Sequence, residues 1–367
     1  MLEPRTVLTL IAITVVAVGG AAWLRAIRRL FDGQPILPYE PRRHVPWGLF
    51  DLVLVVVMYV AAMMAVATVG KAIGLRLGSE INQQTARDML AMQIAIQFLG
   101  GLPVLALIAL RTRAAWRDLG VDWNKVWRDL RLGVLAFTML APPVYAIQAA
   151  LTQFYPYEHT LIDIIEQDPG LLWLSFVSAA VAVPLTEELQ FRLLLQGWLE
   201  KAAVWRGDPT VLLIGGRDAA TDKGPPPESV AEAADHDVDA GMIPDEHPEQ
   251  ESPSEDACDD AHPYQPPLAA ADSPNEAAET PPPLREDFTA ESPPWFDRWP
   301  IVVSAALFAG MHLGQGPAPA PLFVLALGMG YLYERTHRIL PAITVHSLLN
   351  ATTIVILAVE IYFPASS

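Results

Sequence analysis

Six side chains in this sequence have types and spacings that could do chemistry together. Glu187 and Glu188 stand side by side in "TEELQFR", directly after the apolar run "LLWLSFVSAAVAVPL". Arg192 follows Glu188 by four positions. His312 closes "FAGMH", and His346 and Asn350 bracket "HSLLN". Each lies in or beside an apolar stretch, where an ionisable group costs several kcal/mol and tends to mark a functional path or site. An acid and two histidines can move a proton, activate water or relay charge across a membrane. Glu187, His312 and His346 are also a donor set that could hold a zinc ion with a position left for water. No H-E-x-x-H helix is present, so the sequence leaves a metal site and a metal-free site equally open.

The spacings assign parts within this set. Glu188 and Arg192, four apart, share one helix face and can pair. That pair would neutralise one acid and leave Glu187 free to act. Phe308 and His312 are four apart, as are His346 and Asn350, which project toward one point. On regular helices Glu187 and His312 each lie 12 residues from the same membrane face, roughly 18 Å deep at 1.5 Å per residue. His346 and Asn350 reach roughly 9 to 15 Å by the same rise.

Apolar helices must carry these residues to that depth. A spanning helix needs about 20 mostly apolar residues. Eight segments are candidates, the sixth and seventh of them short: Thr6–Leu24, Trp47–Val69, Met89–Leu110, Leu132–Phe154, Leu171–Leu199, Ile301–Leu313, Pro321–Tyr333 and Ile339–Phe363. The expectation is an all-α, multi-pass membrane bundle of about eight transmembrane helices. The fifth carries Pro184 and is expected to kink or break there. The first is read as a retained helix rather than a signal peptide, because Arg25, Arg28 and Arg29 follow it and no small-residue cleavage site is clear. "TVLLIGG" over 210–216 reads equally as a short strand or as an extension of the fifth helix.

Basic residues orient the bundle. Arg25, Arg28, Arg29, Arg42 and Arg43 lie in loop 25–46, and six Lys and Arg residues lie in loop 111–131. Arg335 and Arg338 lie between the last two helices. Eight spans put all three loops on one side, the cytoplasmic one, with both termini outside. Loop 70–88, with Lys71, Arg76 and Arg87, runs against this trend.

The charge balance isolates one segment. The chain has 367 residues and a net charge of −17. Between Asp208 and Arg298 there are 23 acids and 4 bases, leaving 18 acids and 20 bases elsewhere. Sixteen of the 33 prolines fall between Pro209 and Pro294. Such a segment buries too little apolar area to offset the entropy of ordering it, so 206–295 reads as a long disordered cytoplasmic insert. The rest divides into 1–131, N-terminal helices with basic loops, and a core of 132–205 with 296–363. The acidity therefore belongs to the insert, and no nucleic-acid partner is expected. The single cysteine, Cys258, lies in the insert and excludes an intramolecular disulfide.

Three motifs in order resemble a known family. "EELQFR" is similar to the glutamate–glutamate–x–x–x–arginine motif of the CAAX-protease and bacteriocin-processing family of intramembrane proteases, related to the type II CAAX prenyl endopeptidase. "FAGMH" is similar to its phenylalanine–x–x–x–histidine motif, and "HSLLN" to its histidine–x–x–x–asparagine motif. The resemblance covers about 170–205 and 296–355. It implies an integral membrane endopeptidase in which Glu187 activates water with help from His312. It implies further that His346 and Asn350 polarise the scissile carbonyl, and that Glu188 and Arg192 hold the site's shape. The implied cofactor is zinc or none. The implied partners are membrane lipid and a membrane-associated protein or peptide substrate, which in the family's eukaryotic theme is prenylated. The long acidic insert departs from the family's short connection. Two other functions compete. One is a non-proteolytic member acting as a membrane scaffold or immunity protein. The other is a proton- or ion-coupled transporter, which would be expected to show repeated halves, and the sequence shows none.

Overall fold

The computed structural model describes residues 3–41, 45–75, 83–112, 114, 116–155, 165, 170–205, 207–215 and 298–363. The insert over 216–297, with Cys258, lies outside the described residues. So does the acidic connection 156–164.

Nine helices carry the described chain, and among the described residues there is no strand. They are α1 Pro4–Phe31, α2 Leu49–Ala72, α3 Gln83–Thr112 and α4 Val126–Phe154, the last entered through a 3₁₀ turn at Trp123–Lys125. Then come α5 Leu171–Val204, the short α6 Pro209–Ile214, α7 Trp299–Gly310, α8 Pro319–Thr336 and α9 Leu340–Tyr362. Proline opens α1, α6, α7, α8 and α9 within the first two positions, where its missing N–H costs no helical bond.

Six of these, α1 to α5 and α9, are long and apolar enough to cross a membrane. The other two expected spans are helical but differ in length. α8 has 18 residues, while α7 has 12 and ends at Gly310, so it rises only about 18 Å. Its last expected turn, which includes His312, lies beyond the helix. α2 is apolar on every side and leaves Val53, Val56, Val57, Val60, Met63 and Met64 exposed. That is the surface of a helix whose solvent is lipid. The protein is an integral membrane protein built as an all-α bundle.

Close approach of backbones sets the layers. A Cβ on Gly19 of α1 would stand 1.9 Å from the Thr138 carbonyl oxygen of α4, so only glycine fits. Beside it the Trp23 indole donates to the Met139 carbonyl at 3.0 Å. A Cβ on Gly133 of α4 would stand 2.5 Å from Thr344 Cβ of α9. Small residues at such crossings are how membrane helices gain packing without a hydrophobic driving force. The Tyr145 hydroxyl donates to the Leu349 carbonyl at 2.9 Å and ties α4 to α9 one residue from Asn350.

The basic loops meet at one end. Glu40 accepts from Lys125 at 2.8 Å, lies 3.2 Å from Arg128 and pairs with Arg338. Arg338 also donates to Asp129 at 2.7 Å. Burial alone would raise the Glu40 carboxyl, but hydrogen bonds from Lys125 and Arg338 hold it below the usual carboxylate value. Burial would likewise lower Arg338, and its bonds to Glu40 and Asp129 more than reverse that. At the other end Arg5 donates to the Phe363 carbonyl at 2.8 Å, so the two ends of the described chain share a face of the bundle.

Over its described residues, 210–215, "TVLLIGG" is neither a strand nor an extension of α5, because 210–214 lie in the separate helix α6, which begins at Pro209, past the end of α5 at Val204. The Asp208 carboxylate caps α6 by accepting from the Thr210 amide at 2.8 Å. Gly215 ends it with φ 81°, a left-handed value that suits glycine. The described residues of the N-terminal and core divisions belong to one compact unit.

Candidate active site

α5 is continuous through Pro184, so the expected break does not occur. Instead the helix widens. Two stretches, Val177–Ala182 and Leu189–Gln196, make i→i+5 bonds, with α-helical turns over Val183–Glu188 between them. Wide turns of this kind recur at functional sites because they turn side chains off the regular 3.6-residue stripe. Here they flank the acid pair. The Val183 amide donates back to the Ser178 carbonyl, five residues earlier. In that register the Ala179 carbonyl would look to residue 184, a proline without an N–H. The Asn350 side-chain amide takes that carbonyl, donating from Nδ2 at 2.7 Å.

Glu188 and Arg192 pair as the spacing indicates. Arg192 Nε donates to Glu188 Oε2 at 3.1 Å, and both side chains are fully buried. Arg192 Nη1 reaches across to Ser304 Oγ on α7 at 3.1 Å, and Ser304 Oγ donates to the Phe191 carbonyl at 2.9 Å. The guanidinium carbon also lies 5.3 Å from the centre of the Phe308 ring. Phe308 is fully buried and meets Phe191 edge-on at 5.3 Å. Phe308 is therefore a packing post for the site.

Both histidines lean on that post. The His312 ring centre lies 5.1 Å and the His346 ring centre 5.7 Å from that of Phe308. His346 is 3% exposed and places Nδ1 2.9 Å from Glu188 Oε1. A carboxylate only accepts, so the proton sits on Nδ1 and Nε2 is free. His346 Nε2 faces Glu187 Oε2 at 3.9 Å, too long for a hydrogen bond. His312 lies in the turn past α7, and its Nδ1 meets the Phe308 carbonyl at 2.9 Å. That carbonyl is available because the His312 amide bonds to Ala309 instead. A carbonyl also only accepts, so His312 too presents a free Nε2.

Glu187 differs from its neighbour. Its Oε2 is buried and has no hydrogen-bond partner among the described residues, yet its side chain is 19% exposed. The structure thus joins Glu187, Glu188, Arg192, His312 and His346 around Phe308. Asn350 sits one helical turn from His346, with one amide hydrogen on Ala179. The regular-helix depths do not apply as drawn, since α5 is widened and His312 is beyond the end of its helix.

Other parts of the site were not singled out from the sequence. Ser304 had a usable signal, since Ser304, Phe308 and His312 recur every four residues. Tyr59 and Gln97 had none. The Tyr59 hydroxyl donates to Gln97, whose Oε1 also accepts from Thr186 Oγ1 at 2.7 Å. A Cβ on Gly101 would stand 2.9 Å from the Tyr59 hydroxyl and 3.5 Å from Thr186. The glycines of α3 thus admit the tyrosine beside the residue that precedes Glu187.

The donor set suits a metal in part. Each histidine has an acceptor on Nδ1 and a free Nε2, the arrangement that orients metal-ligating imidazoles. The spacing does not suit one: among the described residues no group of three or more His, Cys, Asp or Glu side chains is placed to hold a metal ion.

Residues 285–352 match the family model described as type II CAAX prenyl endopeptidase Rce1-like. No match was found among curated proteins or solved structures. The matched stretch holds His312, His346 and Asn350 and stops far short of the acid pair. The fold supplies the missing link, because the bond from His346 to Glu188 brings "EELQFR" onto the matched helices. Over residues 285–352, which hold its second and third motifs, this chain is similar to the type II CAAX prenyl endopeptidase family.

Proposed function

We propose that this protein is an intramembrane endopeptidase that hydrolyses a peptide bond of a membrane-associated substrate with water activated by Glu187. The observation that carries the reading is the contrast within the acid pair. Glu188 is committed to Arg192 and His346, while Glu187 is partly exposed, its Oε2 makes no hydrogen bond among the described residues, and it faces the free Nε2 of His346 at 3.9 Å.

Glu187 accepts a proton from water, and the oxygen attacks the scissile carbonyl carbon. The carbon–nitrogen bond then breaks, and the proton passes to the leaving amine. Glu188 fixes the His346 ring and compensates a proton held on Nε2, the orienting role a carboxylate plays behind a catalytic imidazole. His312 Nε2 assists at the water. The second amide hydrogen of Asn350 supplies a donor to the developing oxyanion. No step is routed through a metal, since no group of three ligating side chains is placed to hold one among the described residues. From the bias of Lys and Arg toward three loops, we also propose that both termini lie outside and the insert is cytoplasmic.

The test uses purified protein in vesicles and a farnesylated peptide ending in a CAAX sequence, beside the same peptide without the lipid. Cleavage of either that is lost in Glu187→Gln supports the protease reading, and the pair of peptides reports whether the lipid is required. Equal product from wild type and Glu187→Gln removes Glu187 as the base. Intact peptides, together with membrane proteins unchanged on expression of wild type, favour the scaffold role.

A further inference from the structure

Three observations meet at one carbonyl. Val177–Ala182 runs in the i→i+5 register, with the Val183 amide on Ser178. Residue 184 is proline, so the next amide in that register does not exist. The Asn350 Nδ2 lies 2.7 Å from the carbonyl left over, that of Ala179. Within a membrane span an unpaired carbonyl has no water to turn to. The carbonyl therefore demands a donor, and α9 provides it.

That demand also decides how the Asn350 amide sits. An asparagine amide can be turned over with little change of shape, exchanging donor and acceptor. A carbonyl accepts only, so the nitrogen must lie against Ala179 and the oxygen must point away. The nitrogen then keeps one further hydrogen to donate. Without this constraint the amide could present its oxygen to a developing oxyanion, which would repel it.

We propose that Pro184 and Asn350 form a positioning pair. Pro184 removes the helical donor from Ala179, and the freed carbonyl locks the Asn350 amide with its nitrogen side toward α5. The same bond pins the widened turn of α5 to α9, eight residues before Glu187 and one turn after His346. Pro184 is thus a positioning residue that acts through Asn350. The effect on catalysis rests on the protease reading, whereas the effect on stability does not.

A thermal-stability cycle in detergent, with the full-length protein, tests the pair. Pro184→Ala restores an amide that can bond to Ala179. Asn350→Leu keeps the side-chain size and removes the donor. In the wild-type background Asn350→Leu should lower Tm by about 3–8 °C, the scale of one orphaned polar group in a chain of this size. In the Pro184→Ala background the same substitution should lower it little, because the backbone now satisfies the carbonyl. Equal losses in both backgrounds overturn the proposal. If Pro184→Ala does not fold, Asn350→Leu alone still decides, since an unchanged Tm means the carbonyl never needed the amide. With a cleavable peptide in hand, Pro184→Ala should reduce kcat about tenfold or more with KM little changed, as when an aimed donor is lost. Unchanged kcat in a folded Pro184→Ala overturns the catalytic half.

Discussion

Glu187 and Glu188 are chemically identical neighbours with opposite surroundings. Glu188 is fully enclosed and spends its oxygens on Arg192 and His346. Removing one partner of such a buried pair strands the other charge, at a cost of about 3–5 kcal/mol. Glu188→Gln and Arg192→Ala should therefore lose folded protein, read as a lower melting midpoint and yield in detergent. Glu187→Gln should melt like wild type and fail to cleave. If instead Glu187→Gln cleaves normally and Glu188→Gln folds but is inactive, the two acids have exchanged roles. The histidines carry a further expectation. With no group of three ligating side chains among the described residues, chelation by 1,10-phenanthroline should leave the rate of peptide cleavage unchanged. Loss of activity restored by added zinc would show that Glu187, His312 and His346 close on a metal in solution.

The helices succeed as positioning elements because they depart from regularity where the site needs it. α5 is widened on both sides of the acid pair, and α7 stops two residues before His312. The elements are then clamped by contacts that tolerate no side chain. Gly133 lies where any Cβ would strike Thr344, two residues before His346. Gly133→Leu should push α4 away from α9 and lower both the melting midpoint and the peptide-cleavage rate. A bulky residue at Gly20 or Gly310, where nothing lies within 4 Å, should be tolerated. Equal effects at Gly133 and Gly20 would mean that the close crossing of α4 and α9 does not govern the site.

At the scale of the molecule, the two ends of the bundle differ. One end is tied by Glu40 to Lys125, Arg128 and Arg338. The Glu40 carboxyl is held below its ordinary value of 4.5. A lowered carboxyl contributes stability that is fully present above the unfolded value and is lost as pH falls through the folded one. Wild type should thus lose stability below about pH 4.5 more steeply than Glu40→Gln, measured as melting midpoint against pH. Parallel curves would show that the clamp is already broken in solution. The insert is expected to be a solvated cytoplasmic loop. Replacing 220–290 by a short Gly/Ser linker should leave the yield of folded protein intact, and collapse of that yield would show that the insert packs on the body. An impermeant thiol reagent added outside intact cells should fail to label Cys258, and efficient labelling would reverse the orientation.

The sequence by itself determined the membrane bundle, the Glu188–Arg192 pair and the meeting of the three motifs. These rest on helix periodicity and on the cost of polar groups in lipid, which act locally and leave a mark in every turn. It also singled out the six candidate side chains. It did not determine that α5 would pass through Pro184 by widening, nor that α7 would end before His312. The length and polarity of a segment do not specify its hydrogen-bond register. Tyr59 and Gln97 left no sequence signal, because a tyrosine and a glutamine on apolar helices read as packing until another helix turns Thr186 toward them. The spacing to Arg192 already set Glu188 apart as the paired acid, but the tertiary structure alone decided how fully it is enclosed. Glu187 and Glu188 carry the same charge at adjacent positions, and only the arrival of His346 and Ser304 from helices more than a hundred residues away encloses one and leaves the other open.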